Sequence, residues 1–273
     1  MSSHTKPVAP WIGGKRNLAR SIINRIERVP HDMYAEPFVG MGGVFLRRPN
    51  RAKVEVINDW SRDVATFFRV LQRHYVAFME MMKFQLTTRA EFERLVATDP
   101  DTLTDLERAA RLLYLQRVSY GGKVAGRNFG ISTTAPARFD ITKLAPMLED
   151  LHMRLAGVMI ERLPYADFIK RYDREHSLFY LDPPYYGAED YYGADLFHRS
   201  DFDAIEAVLR SIKGRFILSL NDHPEVRRIF AAYRVEPVSI RYSVAGGGGR
   251  ENFCELLISN VDGCWESEIR DQK

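Results

Sequence analysis

The most informative segment of the chain is Leu178-Phe179-Tyr180-Leu181-Asp182-Pro183-Pro184-Tyr185. Its apolar first half predicts a short buried strand, and the two prolines end that strand because proline has no N–H for the ladder. In an open parallel sheet, ligands bind outside the carboxyl ends of the strands. We therefore expect Asp182 and Tyr185 to lie in a ligand crevice at one edge of an α/β sheet.

Short apolar runs alternate with helical patterns along the chain, which predicts a doubly wound, mostly parallel sheet with helices on both faces. The expected strands are Met33–Phe38, Val54–Asn58, Val158–Leu163, Leu178–Leu181, Phe216–Leu220, Val235–Tyr242 and Phe253–Ser259. The expected helices are Arg16–Arg28, Asp63–Met82, Arg89–Thr98, Asp105–Ser119, Ile141–Leu155, Asp201–Ile212 and Pro224–Tyr233. The fold class that this pattern indicates is α/β, with a seven-stranded Rossmann-like sheet.

A long, mainly helical stretch separates the second expected strand from the third, and it is too long for one crossover connection. We interpret residues 84–144 as an inserted subdomain, on a core formed by residues 1–83 and 145–273. The centre of the insert, Ser119–Ala137, is rich in Gly, Ser, Thr and Arg, and it predicts an exposed loop or hairpin.

Composition excludes several classes of protein. Of the 273 residues, 45% are hydrophobic, but no apolar run approaches the roughly 20 residues of a membrane span. Because Met1–Pro10 also lacks the apolar core of a signal peptide, we expect a soluble, intracellular protein. The two cysteines, Cys254 and Cys264, are too few for a disulfide framework or a zinc site, and no other cluster indicates a metal. We expect Cys254 to be a small buried residue of the last strand.

The net charge is only +3, but the basic residues are concentrated in two stretches. Met1–Pro30 has one acidic residue, and Leu115–Phe139 has none. Their basic residues are Lys6, Lys15, Arg16, Arg20, Arg25 and Arg28 in the first stretch, and Arg117, Lys123, Arg127 and Arg138 in the second. Such stretches can neutralise phosphates, although on charge alone a solvated surface is the commoner explanation.

A glycine-rich segment, Ala35–Gly43, follows the first expected strand, and glycines there let the backbone approach a ligand closely. Asp59 ends the next strand, where an acid commonly binds ribose hydroxyls, although it also suits a helix N-cap. The glycine spacing matches neither the dinucleotide fingerprint nor a phosphate-binding loop, which argues against a dehydrogenase. A nucleoside without a pyrophosphate, such as S-adenosylmethionine, fits better.

The sequence resembles the Dam-like family of DNA adenine-N6 methyltransferases in several separate blocks. Trp11-Ile12-Gly13-Gly14-Lys15 is similar to the family's N-terminal block, and Pro37–Gly42 is similar to its cofactor loop. Asn58-Asp59 matches its ribose-binding acid, and Asp182–Tyr185 is similar to its D-P-P-Y motif. The order of the blocks also matches, so the resemblance covers most of the chain. It implies S-adenosylmethionine as the methyl donor and adenine in double-stranded DNA as the acceptor.

The residue types of the D-P-P-Y segment suit methylation of an exocyclic amine, whose lone pair is delocalised into the ring. Asp182 and the Pro183 carbonyl can accept hydrogen bonds from that amine, and Tyr185 offers a flat face for an extruded base. The remaining catalysis is alignment and fixed electrostatics. We therefore expect Asp182, Pro183 and Tyr185 to be the catalytic residues, against the alternative of a structural turn.

The resemblance implies a role for each matched residue in the cofactor site. Lys15 would pair with the methionyl carboxylate, Trp11 would pack beside it, and Asp59 would bind the ribose. Tyr165-Ala166-Asp167-Phe168 is similar to the block at the cofactor's adenine, although Asp167 and Phe168 also suit a helix cap and its packing. The implied cofactor-binding residues are Trp11, Lys15, Phe38, Gly40, Gly42, Asp59, Asp167, Phe168 and Asp182.

The insert is similar to the family's target-recognition region, so we expect its hairpin to bind DNA. In Leu115–Gly122, Gln116 replaces the usual Asn, and Gly122 stands where Asn is common. The expected DNA-binding residues are Arg117, Tyr120, Lys123, Arg127 and Asn128. Arg suits guanine edges and Asn suits adenine, but either can bind phosphate, so the target sequence stays open. The short hairpin favours low specificity, and the acidic stretch Glu189–Asp203 has no assigned role.

Two alternatives keep this fold: the same chemistry on RNA or another exocyclic amine, and a non-catalytic nucleic-acid-binding relative. Lys15, Asp182 and Tyr185 are all present, which favours an active enzyme. We expect a monomer, and the lack of a Cys/His cluster predicts no metal. The resemblance implies the cytoplasm of a bacterial or phage-infected cell. A solitary methylase and one half of a restriction system would have the same sequence features.

Overall fold

The computed structural model describes residues 5–130, 134, 136–188, 197–241 and 252–261, and its strands form one seven-stranded sheet. The strands are β1 (Met33–Glu36), β2 (Val54–Asn58), β3 (Met159–Glu161), β4 (Ser177–Leu181), β5 (Arg215–Asn221), β6 (Arg234–Arg241) and β7 (Asn252–Ser259). Their order is β3-β2-β1-β4-β5-β7-β6, and only β7 pairs antiparallel, with β5 on one side and β6 on the other. The predicted α/β class and mostly parallel sheet are confirmed.

The helices cover both faces of this sheet. They are α1 (Ala19–Arg28), α2 (Arg62–Arg73), α3 (Tyr75–Met82), α4 (Arg89–Ala97), α5 (Asp105–Val118), α6 (Ile141–Arg154), α7 (Tyr165–Tyr172), α8 (Asp201–Ser211) and α9 (Pro224–Ile229). The single helix expected over Asp63–Met82 is two helices, because His74 leaves the helical region at φ −123° and ψ 30°. The sequence did not predict α7, which is only eight residues long and follows Pro164.

Strand β4 is buried on both faces, which explains its continuous apolar sequence. Leu178 and Tyr180 pack with the cluster that includes α1, α2, α5 and α6, whereas Phe179 and Leu181 pack with α7, α8 and α9. The carboxyl end of β4 is therefore held from both sides, and the residues that follow it begin from a rigid position.

The helices of the segment 84–144 pack onto the core of the sheet domain. A capping box starts α5, in which the Glu107 backbone N–H donates to Thr104 and the Glu107 carboxylate accepts from the Thr104 N–H. Arg108 then ties α5 to α2 by an ion pair with Asp63, at 2.6 Å. Buried side chains of α4, α5 and α6 join the same cluster as α1 and α2. The boundaries of the insert stay a prediction.

The expected hairpin at Ser119–Ala137 contains one isolated antiparallel bridge, between Ser119 and Phe129. Four of its residues, at 131–133 and 135, lie outside the described residues, as does the stretch 189–196. Residues 252–261 are described, and they correct the expectation for Cys254, whose side chain is exposed. The ladder to β5 ends where Glu255 pairs with Asn221, so Cys254 lies just beyond the doubly paired part of β7.

Candidate active site

The strands β1, β2 and β4 lie side by side, and a cavity of about 650 Å³ is lined by residues that follow their carboxyl ends. This volume lies within the range of about 300–1,000 Å³ for small-molecule sites. Of the residues expected to bind a cofactor, the wall contains Trp11, Lys15, Phe38, Gly40, Asp59 and Asp182. The structure thus brings together, around one cavity, segments that are far apart in the sequence.

The loop after β1 needs glycine at two positions. Gly40 has φ +50°, and a Cβ at this residue would lie 2.7 Å from the indole Nε1 of Trp11. Gly42 has φ +77°, and its Cβ would lie 2.7 Å from Cγ of Leu46, although Gly42 itself does not line the cavity. Because only glycine tolerates both the backbone angle and the contact, the N-terminal segment can lie directly on the loop.

Asp59 joins the loop after β1 to the start of α2. Its Oδ2 accepts a hydrogen bond from the Gly40 backbone N–H at 2.9 Å, and its Oδ1 accepts one from the Ser61 N–H at 2.9 Å. Burial raises the pKa of Asp59 to about 6, against the opposing effect of these two hydrogen bonds. Asp59 therefore fixes the shape of the cavity wall, and its contact with a ribose stays a prediction.

Asp182 forms an ion pair with Lys15, whose Nζ lies 2.6 Å from Oδ1 of Asp182. The same oxygen accepts a hydrogen bond from the Ser219 hydroxyl at 3.1 Å. Burial raises the pKa of Asp182 above its usual value, and the nearby Lys15 ammonium opposes that rise. The Asp182 carboxylate is therefore ion-paired and only partly exposed, with 21% of its side-chain surface accessible.

Tyr185 is held by its hydroxyl group rather than by its ring alone. Lys15 Nζ donates to the Tyr185 hydroxyl at 2.8 Å and lies 4.5 Å from the centre of its ring. The hydroxyl in turn donates to Oε1 of Glu255, a buried residue of β7. Sequence reasoning missed Glu255, and the only available signal was a single acid within the apolar run of the last strand.

A second buried acid, Glu36, ends β1 directly before the glycine loop. It accepts a hydrogen bond from the Tyr34 hydroxyl at 2.6 Å. Burial raises the pKa of Glu36 to about 8, so this carboxyl group is mainly protonated at neutral pH. Sequence reasoning gave Glu36 no role. A neutral Glu36 leaves Asp182 without another full negative charge at the end of β1.

Asp167 and Phe168 lie away from the cavity wall. Asp167 is exposed in the first turn of α7, and Phe168 is buried in the core, where its ring packs against Tyr172. Helix α7 contacts the cavity wall indirectly, through Tyr165, whose ring centre lies 5.5 Å from that of the wall residue Phe38. The cofactor contacts implied for Asp167 and Phe168 stay a prediction.

The guanidinium of Arg117 holds two backbone segments together. It donates to the Arg138 carbonyl at 2.8 and 3.1 Å, and to the Val8 carbonyl at 3.2 Å, and it also lines the cavity. The neighbouring Gln116 side chain donates to the Pro10 carbonyl at 3.2 Å. The end of α5 therefore fixes residues 5–11, hereafter the N-terminal strap, against the cavity.

The other residues expected to bind DNA differ in exposure. Tyr120 and Asn128 are exposed, whereas Lys123 and Arg127 are half-buried. Arg127 donates to Oε1 of Gln116 at 3.1 Å and to the Lys123 carbonyl at 3.2 Å. Burial lowers the pKa of Arg127 to about 10. In this arrangement Arg127 braces the hairpin, and Tyr120 and Asn128 are the exposed side chains of the expected set, whose contacts with DNA stay a prediction.

The described residues contain neither a candidate membrane-spanning helix nor a candidate metal-binding cluster. No described helix has the length and apolar character needed to cross a membrane. Within the same residues, no group of three or more His, Cys, Asp or Glu side chains is arranged to hold a metal ion.

The mixed sheet, its strand order, the helices on both faces and the cavity after the central strands define a Rossmann-like methyltransferase fold. Within this class, the chain belongs to the family described as D12 class N6 adenine-specific DNA methyltransferase, whose model matches residues 11–244. Membership confirms the predicted family and the predicted activity, N6 methylation of adenine in DNA, which requires a methyl donor.

Three known proteins are similar to the chain over most of their length. The type II methyltransferase M1.LlaDCHI of Lactococcus lactis subsp. cremoris is 23% identical, over 93% of this chain and 95% of that protein. The DNA adenine methylase of Salmonella typhi is 24% identical, over 90% of this chain and 92% of that protein. The type II methyltransferase M.CviBI of Paramecium bursaria Chlorella virus NC1A is 20% identical, over 93% of this chain and 99% of that protein.

Proposed function

We propose that the chain binds S-adenosylmethionine in the cavity after β1, β2 and β4 and methylates N6 of an adenine that is flipped out of double-stranded DNA. The observation that carries this proposal is the shared cavity: Gly40 and Asp59 form one part of its wall, and Asp182 forms another. A nucleoside held by the first pair would present its reactive end to Asp182.

The residues of the cavity suit S-adenosylmethionine. Gly40 has no side chain and lines the cavity, with the Trp11 indole packed directly against its backbone, so its main chain forms part of the wall beside the aromatic ring. Trp11, Phe38, Trp60 and Phe197 provide apolar surface for an adenosine, and the Asp59 carboxylate is an acceptor for ribose hydroxyls. When bound, the cofactor supplies a methyl group on a positively charged sulfonium, and the Asp182 carboxylate stabilises positive charge nearby.

Asp182 and Pro183 align the amine of the target base. Both hydrogen bonds that Asp182 accepts within the described residues go to Oδ1, so we assign Oδ2 to the adenine amine. The Pro183 carbonyl is the second acceptor, and together the two acceptors favour a tetrahedral nitrogen with its lone pair free. The Tyr185 ring stacks with the base, and its tethered hydroxyl keeps the ring in place.

DNA recognition is assigned to the inserted segment 84–144, and catalysis to residues 1–83 and 145–273. The exposed Tyr120 and Asn128 would reach the bases, while basic side chains at the cavity rim, Lys6, Arg16 and Arg47, would bind phosphates. We place the enzyme in the cytoplasm of a bacterium or a phage-infected cell, as a monomer. The names of its relatives are compatible with a restriction–modification role or with a solitary one.

Unmethylated DNA incubated with the protein and methyl-labelled S-adenosylmethionine should acquire label only as N6-methyladenine. Nucleoside analysis of the digested DNA identifies the labelled base and atom, and sequencing the same DNA gives the target site. DNA that already carries N6-methyladenine at those sites is the control and should take up no label. Label in RNA alone, or on cytosine, would contradict the proposal.

Arg117→Lys should weaken S-adenosylmethionine binding by about tenfold in the absence of DNA, because the hydrogen bonds to Val8 and Arg138 hold the strap that carries Trp11. The lysine keeps the positive charge but cannot reach both carbonyls. Titration calorimetry measures the Kd. Lys123→Met, which removes a nearby basic side chain, is the control and should leave the Kd unchanged. Equal Kd values for wild type and Arg117→Lys would remove Arg117 from this role.

A further inference from the structure

We propose that Glu255 is a positioning residue for methyl transfer, because it binds the Tyr185 hydroxyl and shares Lys15 with Asp182. It thereby fixes the ring on which the target base stacks and limits how strongly Lys15 holds Asp182. The inference rests on the proposed function and extends it to a strand that contributes no residue to the cavity wall.

Glu255 occupies an unusual position for a carboxylate. It lies in β7, between Asn221 of β5 and Val238 of β6, and its residue surface is only 4% exposed. Burying a carboxylate in an interior strand is costly unless the charge is paired and hydrogen-bonded. The side-chain partners found for Glu255 within the described residues are Tyr185 and Lys15, both of the candidate active site.

The hydrogen bond from Tyr185 orients the aromatic ring. The Tyr185 hydroxyl accepts from Lys15 at 2.8 Å and donates to Oε1 of Glu255, so it is held from two sides. A hydroxyl in such a chain has a fixed direction, and the ring must follow it. A stacking platform with a fixed plane holds a flipped base in one orientation, which is what alignment of its amine with the methyl donor requires.

The ion pair with Lys15 limits the charge available to Asp182. Lys15 Nζ lies 2.6 Å from Asp182 Oδ1 but 3.5 Å from Glu255 Oε2, so one ammonium serves two carboxylates unequally. When both carboxylates are ionised, Lys15, Asp182 and Glu255 together carry one excess negative charge, which favours a sulfonium nearby. Without the charge of Glu255, Asp182 would be the one acid of this pair that remains beside Lys15, and its carboxylate would be a weaker acceptor for the adenine amine.

The charged and titratable groups near Asp182 come from four elements. Lys15 belongs to the N-terminal block, Glu36 ends β1, Tyr180 is in β4 itself, and Glu255 is in β7. Glu36 and Tyr180 are held neutral near pH 7 because burial raises the pKa of each. Burial also raises the pKa of Glu255, while the Lys15 ammonium and the hydrogen bond from Tyr185 oppose that rise. Glu255 is the acid of this group that shares Lys15 with Asp182, so its replacement by a neutral side chain should lower the pKa of Asp182.

Four variants test the proposal in the full-length protein: Glu255→Gln, Tyr185→Phe, the double variant, and Glu236→Gln as a control. Glu236 is a half-buried, ion-paired acid on the neighbouring strand β6, and it pairs with Arg25 at 2.5 Å. Single-turnover methylation of DNA is measured as a function of pH at saturating cofactor, with titration calorimetry for cofactor binding and thermal unfolding for each variant.

Glu255→Gln should lower the rate of methyl transfer about tenfold and move the acid limb of its pH profile down by about one unit. A merely structural residue would not move that limb. Tyr185→Phe should also lower the rate of methyl transfer about tenfold. The rate of the double variant should lie no more than about twofold below that of the slower single variant, because the two side chains act in one hydrogen-bond network. Glu236→Gln should match the wild type.

A wild-type rate and an unmoved acid limb in Glu255→Gln would overturn the inference, and so would strictly multiplicative losses in the double variant. If Glu255→Gln does not fold, Tyr185→Phe tests the inference instead, because it keeps both carboxylates and removes only the hydroxyl that binds Glu255. A wild-type rate of methyl transfer in Tyr185→Phe would refute a role for that hydrogen bond. An active wild-type protein with an unaffected Glu255→Gln variant defeats this inference alone. Wild-type protein that does not methylate DNA defeats the proposed function as well.

Discussion

Asp182→Ala abolishes methyl transfer, with an expected loss of at least about 10³-fold in single-turnover rate, while the protein stays folded. The change removes the acceptor that we assign to the adenine amine. The fold should survive because neither partner of Asp182 is left alone: Lys15 keeps the Tyr185 hydroxyl and Glu255, and Ser219 keeps the Tyr180 hydroxyl at 2.9 Å.

Thermal unfolding and cofactor titration accompany the rate measurement, so that a loss of chemistry is distinguished from a loss of structure. Asp222→Ala is the matched control, since Asp222 follows the neighbouring strand β5 and is ion-paired with Arg227 at 2.7 Å. The control should retain the wild-type rate. Near-wild-type transfer by Asp182→Ala would refute the role of this carboxylate.

Lys15→Met has the second large effect, because it leaves the buried carboxylate of Glu255 and the half-buried carboxylate of Asp182 without their shared cation. Lys15 is only 3% exposed, and removing one member of a buried ion pair costs about 3 kcal/mol of unfolding free energy or more. Loss of the ammonium also removes the effect that opposes the raised pKa of Asp182, so this pKa should rise further.

The sign of the pH effect follows from the charge state that transfer requires. In the proposed mechanism Asp182 accepts from the amine as a carboxylate, so activity should fall as the pH drops through the pKa of Asp182, and a higher pKa should move the acid limb of the profile upward. The methylation rate of Lys15→Met should therefore be lowest at low pH and should recover as the pH rises. Its acid limb should shift in the opposite direction from that of Glu255→Gln. An acid limb at the wild-type position in Lys15→Met would contradict the ion pair's role in setting the pKa of Asp182.

Chemical denaturation measures the stability of Lys15→Met. Lys53→Met is its control: Lys53 forms an ion pair of 2.9 Å with Asp32, but both side chains are mostly exposed. Exposed pairs contribute about 0–1 kcal/mol, so the control should be close to wild type.

The elements that sequence predicted best are those whose pattern is decided locally. The continuous apolar run before Asp182 reflects burial of β4 on both faces, and the glycines at 40 and 42 reflect positive φ angles. The break at His74 and the short helix α7 depend on how neighbouring helices pack, which periodicity does not report. Cys254 was misjudged because its exposure depends on where the β5 ladder ends.

The residues of the candidate site show the same difference between features decided by local sequence and features that depend on tertiary contacts. Lys15, Asp59 and Asp182 lie in recognisable motifs, and the structure places all three at one cavity. Glu255 follows Tyr185 by 70 positions and contacts it only because β7 is inserted antiparallel between β5 and β6. The contacts of Arg117 depend on backbone carbonyls, one of them 109 positions away, and carbonyls have no sequence signature.

The bracing of the N-terminal strap by Gln116 and Arg117 has a consequence for engineering. Chimeras that exchange recognition segments treat such a segment as an independent cassette, but here the end of α5 also supports one wall of the catalytic pocket. If residues 84–144 form the recognition segment that we propose, a foreign segment grafted in at these positions should change both the target sequence and the affinity for the methyl donor. A transplant that keeps the native Gln116 and Arg117, or imports the matching strap with them, separates the two properties.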